Sequence, residues 1–408
     1  MSRLSRVRAF LGLQQSIIGL LVMVILAGMG ERMAERFLPI YVMALGGTGA
    51  IVGILSGLQN LLGALYSFPG GHLSERLGTK RALLVFNIMA MTGYLIVIVI
   101  PAWPAVIAGA FFFLAWSAIS LPASMGLVAK VLPKNQRTMG VTMHSLVRRI
   151  PMAIGPLVGG WFVDTWGKIT GVRLAFIAAL LMTVLAIYLQ QRLIEDDPPK
   201  AGGKKGNRPE RNPLAVARRM SANLQGLLVS DILIRFCEQI PYAFVVIWCM
   251  ETISSPVSGE RFGVLTAIEM ATAVLCYIPV AYFADRVGKK PFVVITFVFF
   301  TLFPLSLLFC QSFWALVPAF VLRGLKEFGE PTRKALIMDL APDDAKAAMF
   351  GVYYLIRDSI VSVAAFGGGL IWQYASPTAN LLTAFGFGVI GTLWFAWRGK
   401  DLTQTPGI

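Results

Sequence analysis

A chain of 408 residues that is 56% hydrophobic and only 14% charged has too little polar surface to surround an ordinary water-soluble core, and it points to lipid as its solvent. Its formal charge of +15 would suggest a nucleic-acid partner in a soluble protein. Here the cations are sorted among loops on one side of apolar runs, which excludes that reading. Each membrane span takes about 20 apolar residues, so about twelve spans with short connections use nearly the whole length.

In chain order, span 1 is expected over Ser16–Met43 and span 2 over Ala50–Gly71, with a tight hairpin at Pro69–Arg81 leading into span 3, Ala82–Ile100. Pro101–Pro104 makes a short turn, and span 4 ends near Leu132. Spans 5 and 6 follow at Met139–Val163 and Val172–Gln190. A polar stretch, Glu195–Arg219, carries Pro198-Pro199, Gly202-Gly203 and Lys204-Lys205, the composition of a flexible connector. Its end, Pro213–Asn223, reads equally as a short amphipathic helix on the inner leaflet or as plain linker. Spans 7 to 12 are expected at Leu224–Met250, Phe262–Ala281, Pro291–Cys310, Trp314–Leu340, Met349–Trp372 and Leu381–Trp397. The resulting division is an N-terminal bundle at 1–194, a cytoplasmic linker at 195–222 and a C-terminal bundle at 223–408.

With alternating spans, Arg3, Arg6, Arg8, Lys130, Lys134, Arg137 and the cations from Arg192 to Arg219 share one side. The opposite loops carry mainly Lys168, Arg173 and Arg261. The positive-inside rule then puts both termini in the cytoplasm. The apolar run after Gln15 is too long for a cleavable leader and lacks its small-residue cleavage pattern, so the first span is expected to remain. Cys237, Cys249, Cys276 and Cys310 show no paired spacing, and His72 and His144 are far apart. Neither a disulfide framework nor a metal site is expected, and no phosphate-binding loop or nucleophile elbow suggests a cofactor or an enzyme.

The hairpin pattern Gly71-x-Leu73-x-Glu75-Arg76-x-Gly78-x-Lys80-Arg81 recurs as Asp285-Arg286-x-Gly288-x-Lys290. Gly288 lies 210 residues after Gly78. Sliding the first half by 207 places Glu31 on Glu238, Phe37 on Phe244 and Met43 on Met250; a shift of 209 places Arg148 on Arg357 and Gly159-Gly160 on Gly368-Gly369. Several matches at nearly one offset indicate a duplicated six-span unit. The hairpin pattern resembles the loop motif between the second and third helices of the major facilitator superfamily of secondary transporters, with Glu75 where that family usually has Asp. The resemblance implies an all-α membrane protein of twelve transmembrane helices in two pseudo-symmetric six-helix bundles. It also implies that spans 1, 4, 7 and 10 line a central space, and that Gly71, Glu75, Arg76, Gly78, Asp285, Arg286 and Gly288 form an inner gating loop pair.

Ionisable groups inside apolar runs normally face protein or water. Span 1 carries Glu31, Arg32, Glu35 and Arg36 in a sector of about 140° at 100° per residue. In span 7, Asp231, Arg235 and Glu238 fall within about 60°. Span 10 places Arg323, Lys326, Glu327, Glu330, Arg333 and Lys334 within about 120°, one polar stripe on an apolar helix. Spans 5, 8 and 11 add His144, Arg148 and Arg149, then Glu269, then Tyr353, Arg357 and Asp358. Pairing between Glu and Arg neighbours would make many of these structural. Arg333, Lys334 and Asp339, near the inner end of span 10, are expected as interfacial anchors.

Span 4 offers Trp116, Ser117 and Ser120 without the internal arginine common in the family's drug exporters, while Arg323 sits in span 10. Gly155-Pro156-x-x-Gly159-Gly160 in span 5 resembles the end of the motif associated with drug/proton antiporters, and small residues equally let any two helices pack closely. The expected function is therefore proton-coupled export of a small amphipathic or drug-like molecule by alternating access, with symport or exchange of an anionic or zwitterionic metabolite as the alternative. A receptor or scaffold that kept the fold is the reading from another class. Proton-coupling candidates are Glu31, Glu238 and Glu327, then Glu35 and Glu330. Arg32, Arg36, Trp116, Arg148, Arg235, Tyr242, Trp248, Arg323, Lys326, Tyr353, Arg357 and Asp358 are the substrate-cavity candidates, although the aromatic members fit a plain core as well. The partners expected are a small-molecule substrate, protons and the lipid bilayer, with no nucleic acid, for a monomer in a bacterial cytoplasmic (inner) membrane.

Overall fold

A computed structural model of the chain describes residues 15–114, 116, 124, 127, 137–195, 213–287, 289–342 and 346–399, with side chains except at 67–76, 137–146, 213–214, 277–287, 331 and 346–348. Among the described residues the regular structure is helical throughout. Seven stretches are long and apolar enough to cross a bilayer, eight if one bent pair is a single span. The stretch Val147–Leu193 contributes to that count once although it spans 47 residues.

The first helices are α1 (Gln15–Glu35), α2 (Leu38–Ala44), α3 (Gly49–Leu77), α4 (Thr79–Val99) and α5 (Trp103–Phe113). Span 1 is thus broken at Arg36-Phe37, with Pro39 in the first turn of α2, where a missing N–H costs nothing. Span 2 does not stop at Gly71. α3 continues to Leu77, and the reversal is made at Gly78, whose φ of 82° leads directly into α4. Glycine takes that backbone conformation without the penalty a Cβ would bring, so the hairpin tightens onto one residue. The next helix, α6 (Arg137–Leu193), joins two arms across Gly167, at φ 79°.

After α7 (Pro213–Arg218) come α8 (Ala222–Tyr242), α9 (Phe244–Ile247) and a π turn at Trp248–Thr252. The axis bends by 42° between α8 and the segment Phe244–Thr252. The chain ends with α10 (Gly259–Val287), α11 (Lys290–Phe309), α12 (Phe313–Leu325), α13 (Glu330–Leu340), α14 (Lys346–Tyr374) and α15 (Pro377–Arg398). The continuous polar stripe expected over Trp314–Leu340 is therefore two helices. Between them Gly329 N–H donates to Thr296 Oγ1 at 2.6 Å, a side chain on α11 that satisfies the backbone where the ladder is interrupted. Pro213–Asn223 begins with a short helix rather than plain linker, with Arg218, Arg219 and residues 221–223 exposed. Val216 and Met220 are buried with Leu224, Leu336, Met349 and Tyr353, so α7 is docked by its apolar residues.

The chain divides into two compact units. Unit 1 comprises 1–48, 61–201 and 258–267; unit 2 comprises 49–60, 202–257 and 268–408. In unit 1, α1 lies along α6, and α4 packs on α5 and α6. A buried polar string ties α4 and α6 to Trp116, which follows α5: Trp116 Nε1 donates to Asn87 Oδ1 at 2.8 Å, Asn87 Nδ2 to Gln190 Oε1 at 2.8 Å, and Gln190 Nε2 to the Lys80 carbonyl at 2.8 Å. In unit 2, α8 packs on α14 and α15, and α15 on α11.

Glycines allow the closest of these approaches. A Cβ on Gly155 would lie 2.7 Å from Arg32 Cβ, and one on Gly159 would run into the Met33 carbonyl oxygen, so the span 5 glycines bring α6 onto α1. In unit 2 the same arrangement appears one repeat later: a Cβ on Gly368 would run into the Ile240 carbonyl oxygen. Gly368 follows Gly159 by 209 residues and Ile240 follows Met33 by 207, the two offsets that relate the sequence halves.

Candidate functional site

The charged residues of spans 7, 8, 10 and 11 meet inside unit 2. Asp231, Arg235 and Glu238 lie on α8 at intervals of four and three, which places them on one face. Asp231 is fully buried and pairs with Arg333 of α13, with Arg357 of α14 at 3.4 Å, and with the Tyr353 hydroxyl at 3.1 Å. Arg333 also holds Glu330 at 2.5 Å. Glu330 meets Arg235 at 3.5 Å, and Arg235 donates to Glu238 at 2.5 Å. Glu238 accepts from Lys326 at 2.7 Å; Lys326 lies 3.6 Å from Glu269 of α10, and Glu269 lies 3.3 Å from Arg323. With Lys334 on Glu330 at 3.3 Å and Asp358 on Arg357 at 2.7 Å, eleven ionisable side chains thus form one unbroken series across α8, α10, the α12–α13 pair and α14.

Its polar ends differ. Around Asp231 the carboxylate is surrounded by donors, and Arg357 is further held by Asp358 at 2.7 Å and lies 4.1 Å over the Tyr354 ring. Around Arg323 the surroundings are aromatic: its guanidinium carbon stands 5.0 Å from the Phe303 ring centre and 5.6 Å from those of Phe320 and Tyr242. Arg235 and Lys326 flank Phe300 at 5.5 and 5.7 Å. Glu238, Tyr242, Phe300, Phe303, Arg323 and Lys326 line a cavity of about 10 Å³, room for one water. Arg323 and Glu269 are only 2% and 1% exposed. Side chains so withdrawn from water persist as ions only through partners such as these.

Six cations, Arg235, Arg323, Lys326, Arg333, Lys334 and Arg357, face five carboxylates, Asp231, Glu238, Glu269, Glu330 and Asp358, so the series carries one positive charge more than it neutralises. Chemically it can bind an anionic group, and it can exchange one carboxylate's partner for another over short distances.

Unit 1 holds a smaller charged group. Arg32 pairs with Glu35 at 2.6 Å, Glu31 is buried on the same helix, and Arg148 of α6 feels the charges of Arg32, Glu31 and Arg149. Arg36 sits in the turn before α2. Trp116 is buried, with its indole N–H given to Asn87 of α4. Trp248 is likewise buried, donating to the Leu307 carbonyl at 3.2 Å. Glu327 lies half-buried on the turn between α12 and α13.

The structure brings together Arg235, Glu238, Arg323, Lys326, Glu330, Tyr353, Arg357 and Asp358. It adds Asp231, Glu269 and Arg333, which are not among the expected site residues. Arg333 is a correction: it is 2% exposed and fully enclosed, not an interfacial anchor, whereas Lys334 is half exposed and Asp339 pairs with Lys289 near the surface. The signal for it was its place in the span 10 stripe, in register with Glu330 three residues before. Of the gating loops, Gly71 lies within the helical backbone of α3 and Gly78 makes the turn. The side chains of Glu75, Arg76, Asp285 and Arg286, and all of Gly288, lie outside the described residues.

Comparison with known proteins agrees with this architecture. The chain is 24% identical over 380 residues to a multi-drug resistance efflux pump PmrA homolog of Lactococcus lactis, covering 90% of both chains. It is 27% identical to a staphylopine export protein of Staphylococcus aureus over 133 residues, 30% of each chain. Among solved structures it superposes on the nucleoside transporter NupG with a TM-score of 0.75 at 14% identity, covering 94% of this chain and 99% of that one. A POT family transporter in complex with a thioalcohol conjugated peptide also gives 0.75 at 14% identity, over 92% and 94%. The sequence model of the Major Facilitator Superfamily matches residues 20–254 and 227–407. With that match running through both repeats, the chain is a membrane-embedded transporter belonging to the Major Facilitator Superfamily.

Proposed function

We propose that this transporter couples proton movement to export of a small amphipathic molecule by alternating access, and that the substrate's anionic group is held by the cations of the unit 2 series. The observation that carries the reading is the junction of Glu238 and Glu269 with Lys326 and Arg323 beside an aromatic-lined cavity. A proton arriving on Glu238 would cancel its charge and loosen Lys326 and Arg235. Those two cations could then take a substrate carboxylate or phosphate, with its apolar part against Phe300, Phe303 and Tyr242. Export is supported by the two bacterial relatives, an efflux pump homolog and an export protein.

Glu31 is the matching coupling candidate in unit 1, since the repeat relates it to Glu238; Glu327, Glu35 and Glu330 follow. Glu75-Arg76 and Asp285-Arg286 would act as an inner latch, and both termini would face the cytoplasm of a bacterial cell, for a protein acting as a monomer. A second reading, symport or exchange of an anionic or zwitterionic metabolite, is favoured by the surplus cation of the series. The test is transport in inside-out vesicles with an imposed pH difference. Glu31→Gln and Glu238→Gln should each lower pH-driven accumulation about a hundredfold, at the lower end of what a positioned acid or base contributes. Unchanged accumulation in both variants removes the proton-carrier roles, and substrate leaving the vesicles down the same gradient turns the assignment to symport.

A further inference from the structure

The repeat that relates the two sequence halves also relates a pair of helix caps. The first four N–H groups of a helix lack partners within it. At the start of α10, the Gly259 and Glu260 N–H groups donate to Asp164 of α6, to Oδ1 at 2.7 Å and Oδ2 at 2.8 Å, while Ser258 Oγ takes the Arg261 N–H at 3.3 Å. At the start of α3, the Ala50 N–H donates to Gln373 Oε1 of α14 at 2.9 Å, and the N-cap residue Thr48 makes no side-chain bond of its own. Gln373 follows Asp164 by 209 residues, and Glu260 follows Ala50 by 210.

Beneath each cap the backbones touch through matching glycines. A Cβ on Gly263 would lie 2.6 Å from the Pro156 carbonyl oxygen, and one on Gly160 would run into the backbone of Gly259. One repeat away, a Cβ on Gly53 would lie 3.1 Å from the Ala365 carbonyl oxygen, and one on Gly369 would lie 2.6 Å from that of Gly49. Ala365 is Pro156 plus 209, and Gly53 is Gly263 less 210. Two helices therefore begin against a helix of the other repeat, in the same way twice.

The two caps are not equal. Asp164 carries a full charge, meets the positive end of α10 and accepts two N–H bonds, whereas Gln373 is neutral and accepts one. Charge-assisted bonds are about twice as strong as neutral ones. We propose that Asp164 and Gln373 form a two-part clasp on the side of the membrane opposite the linker, and that this inequality sets the order of its release: α3 leaves α14 first and α10 leaves α6 last. The inference rests on the alternating-access reading and adds to it a sequence of opening.

Spin-label distances in the full chain in lipid nanodiscs test it, with Cys276 replaced by serine because the other three cysteines are buried. One label pair, at Thr48 and Tyr374, reports the α3 clasp; the other, at Trp166 and Arg261, reports the α10 clasp. All four positions are exposed. The separated population should be about fivefold larger for the first pair, the size of one neutral against one charge-assisted cap. Asp164→Asn should raise it for the second pair by a similar factor, and Gln373→Glu should lower it for the first. Because the two substitutions move their pairs in opposite directions, a folding defect cannot imitate the result. Equal populations in the unaltered protein, or no response to either substitution, overturn the proposal. No separated population in either pair, at any pH or with any transported compound, would instead remove alternating access itself.

Discussion

Arg333 illustrates what burial does to a single residue. It holds Asp231 and Glu330 at once, with its side chain only 2% exposed. Arg333→Ala should destabilise the protein by about 3–5 kcal/mol, because it leaves the buried Asp231 without its main partner. Adding Asp231→Asn to that variant should recover part of the loss, since it removes the charge left behind. Thermal unfolding in detergent measures both, and a double variant no more stable than the single one would mean that Asp231 is adequately held by Arg357 and Tyr353 alone. The residue types of this series were legible in the sequence, as ions in apolar runs. Which were joined was not, because Asp231 and Arg333 are 102 positions apart and only the fold makes them neighbours. Trp116 shows the reverse: an aromatic in an expected cavity-lining span whose N–H is used up within the packing of its own unit.

At the scale of elements, glycine placement decides which helices touch. Gly159→Ala and Gly368→Ala should each cost about 1–3 kcal/mol by forcing a methyl onto a carbonyl oxygen of the neighbouring helix. Gly367→Ala, one position away on the same helix but with open space around its Cβ, should be neutral or stabilising by up to about 1 kcal/mol. Equal unfolding temperatures for Gly367→Ala and Gly368→Ala would refute this packing. Gly78→Ala should cost about 1–3 kcal/mol for its backbone conformation alone, φ 82° with ψ 158°. Apolar length located the spans well, but not their interruptions. The break between α12 and α13 has a local signal, Gly329 at the N-cap and Pro331 in the first turn of α13, which apolar length alone passes over, and Thr296 of another helix takes up the Gly329 N–H there.

For the molecule as a whole, the charge distribution predicts sidedness. A cysteine replacing Lys168 should react with an impermeant maleimide added to intact cells, while one replacing Arg211 should react only after permeabilisation. The opposite pattern would invert the orientation, and reaction of both from outside would contradict the single span, Val172–Gln190, between them.

That this chain lives in a bilayer, that its halves are copies and that it carries ions where lipid would reject them can all be read from residue order. Those are properties of composition, offset and hydropathy, which need no coordinates. Folding alone joins eleven of these ions into one series within a single unit, turns the span 5 glycines into contacts to α1 and α10, and sets Asp164 and Gln373 as caps on helices of the other repeat. Pairing of this kind joins residues a hundred or more positions apart as readily as near ones, because burial rewards any partner that removes an unmet charge or N–H, wherever along the chain it comes from.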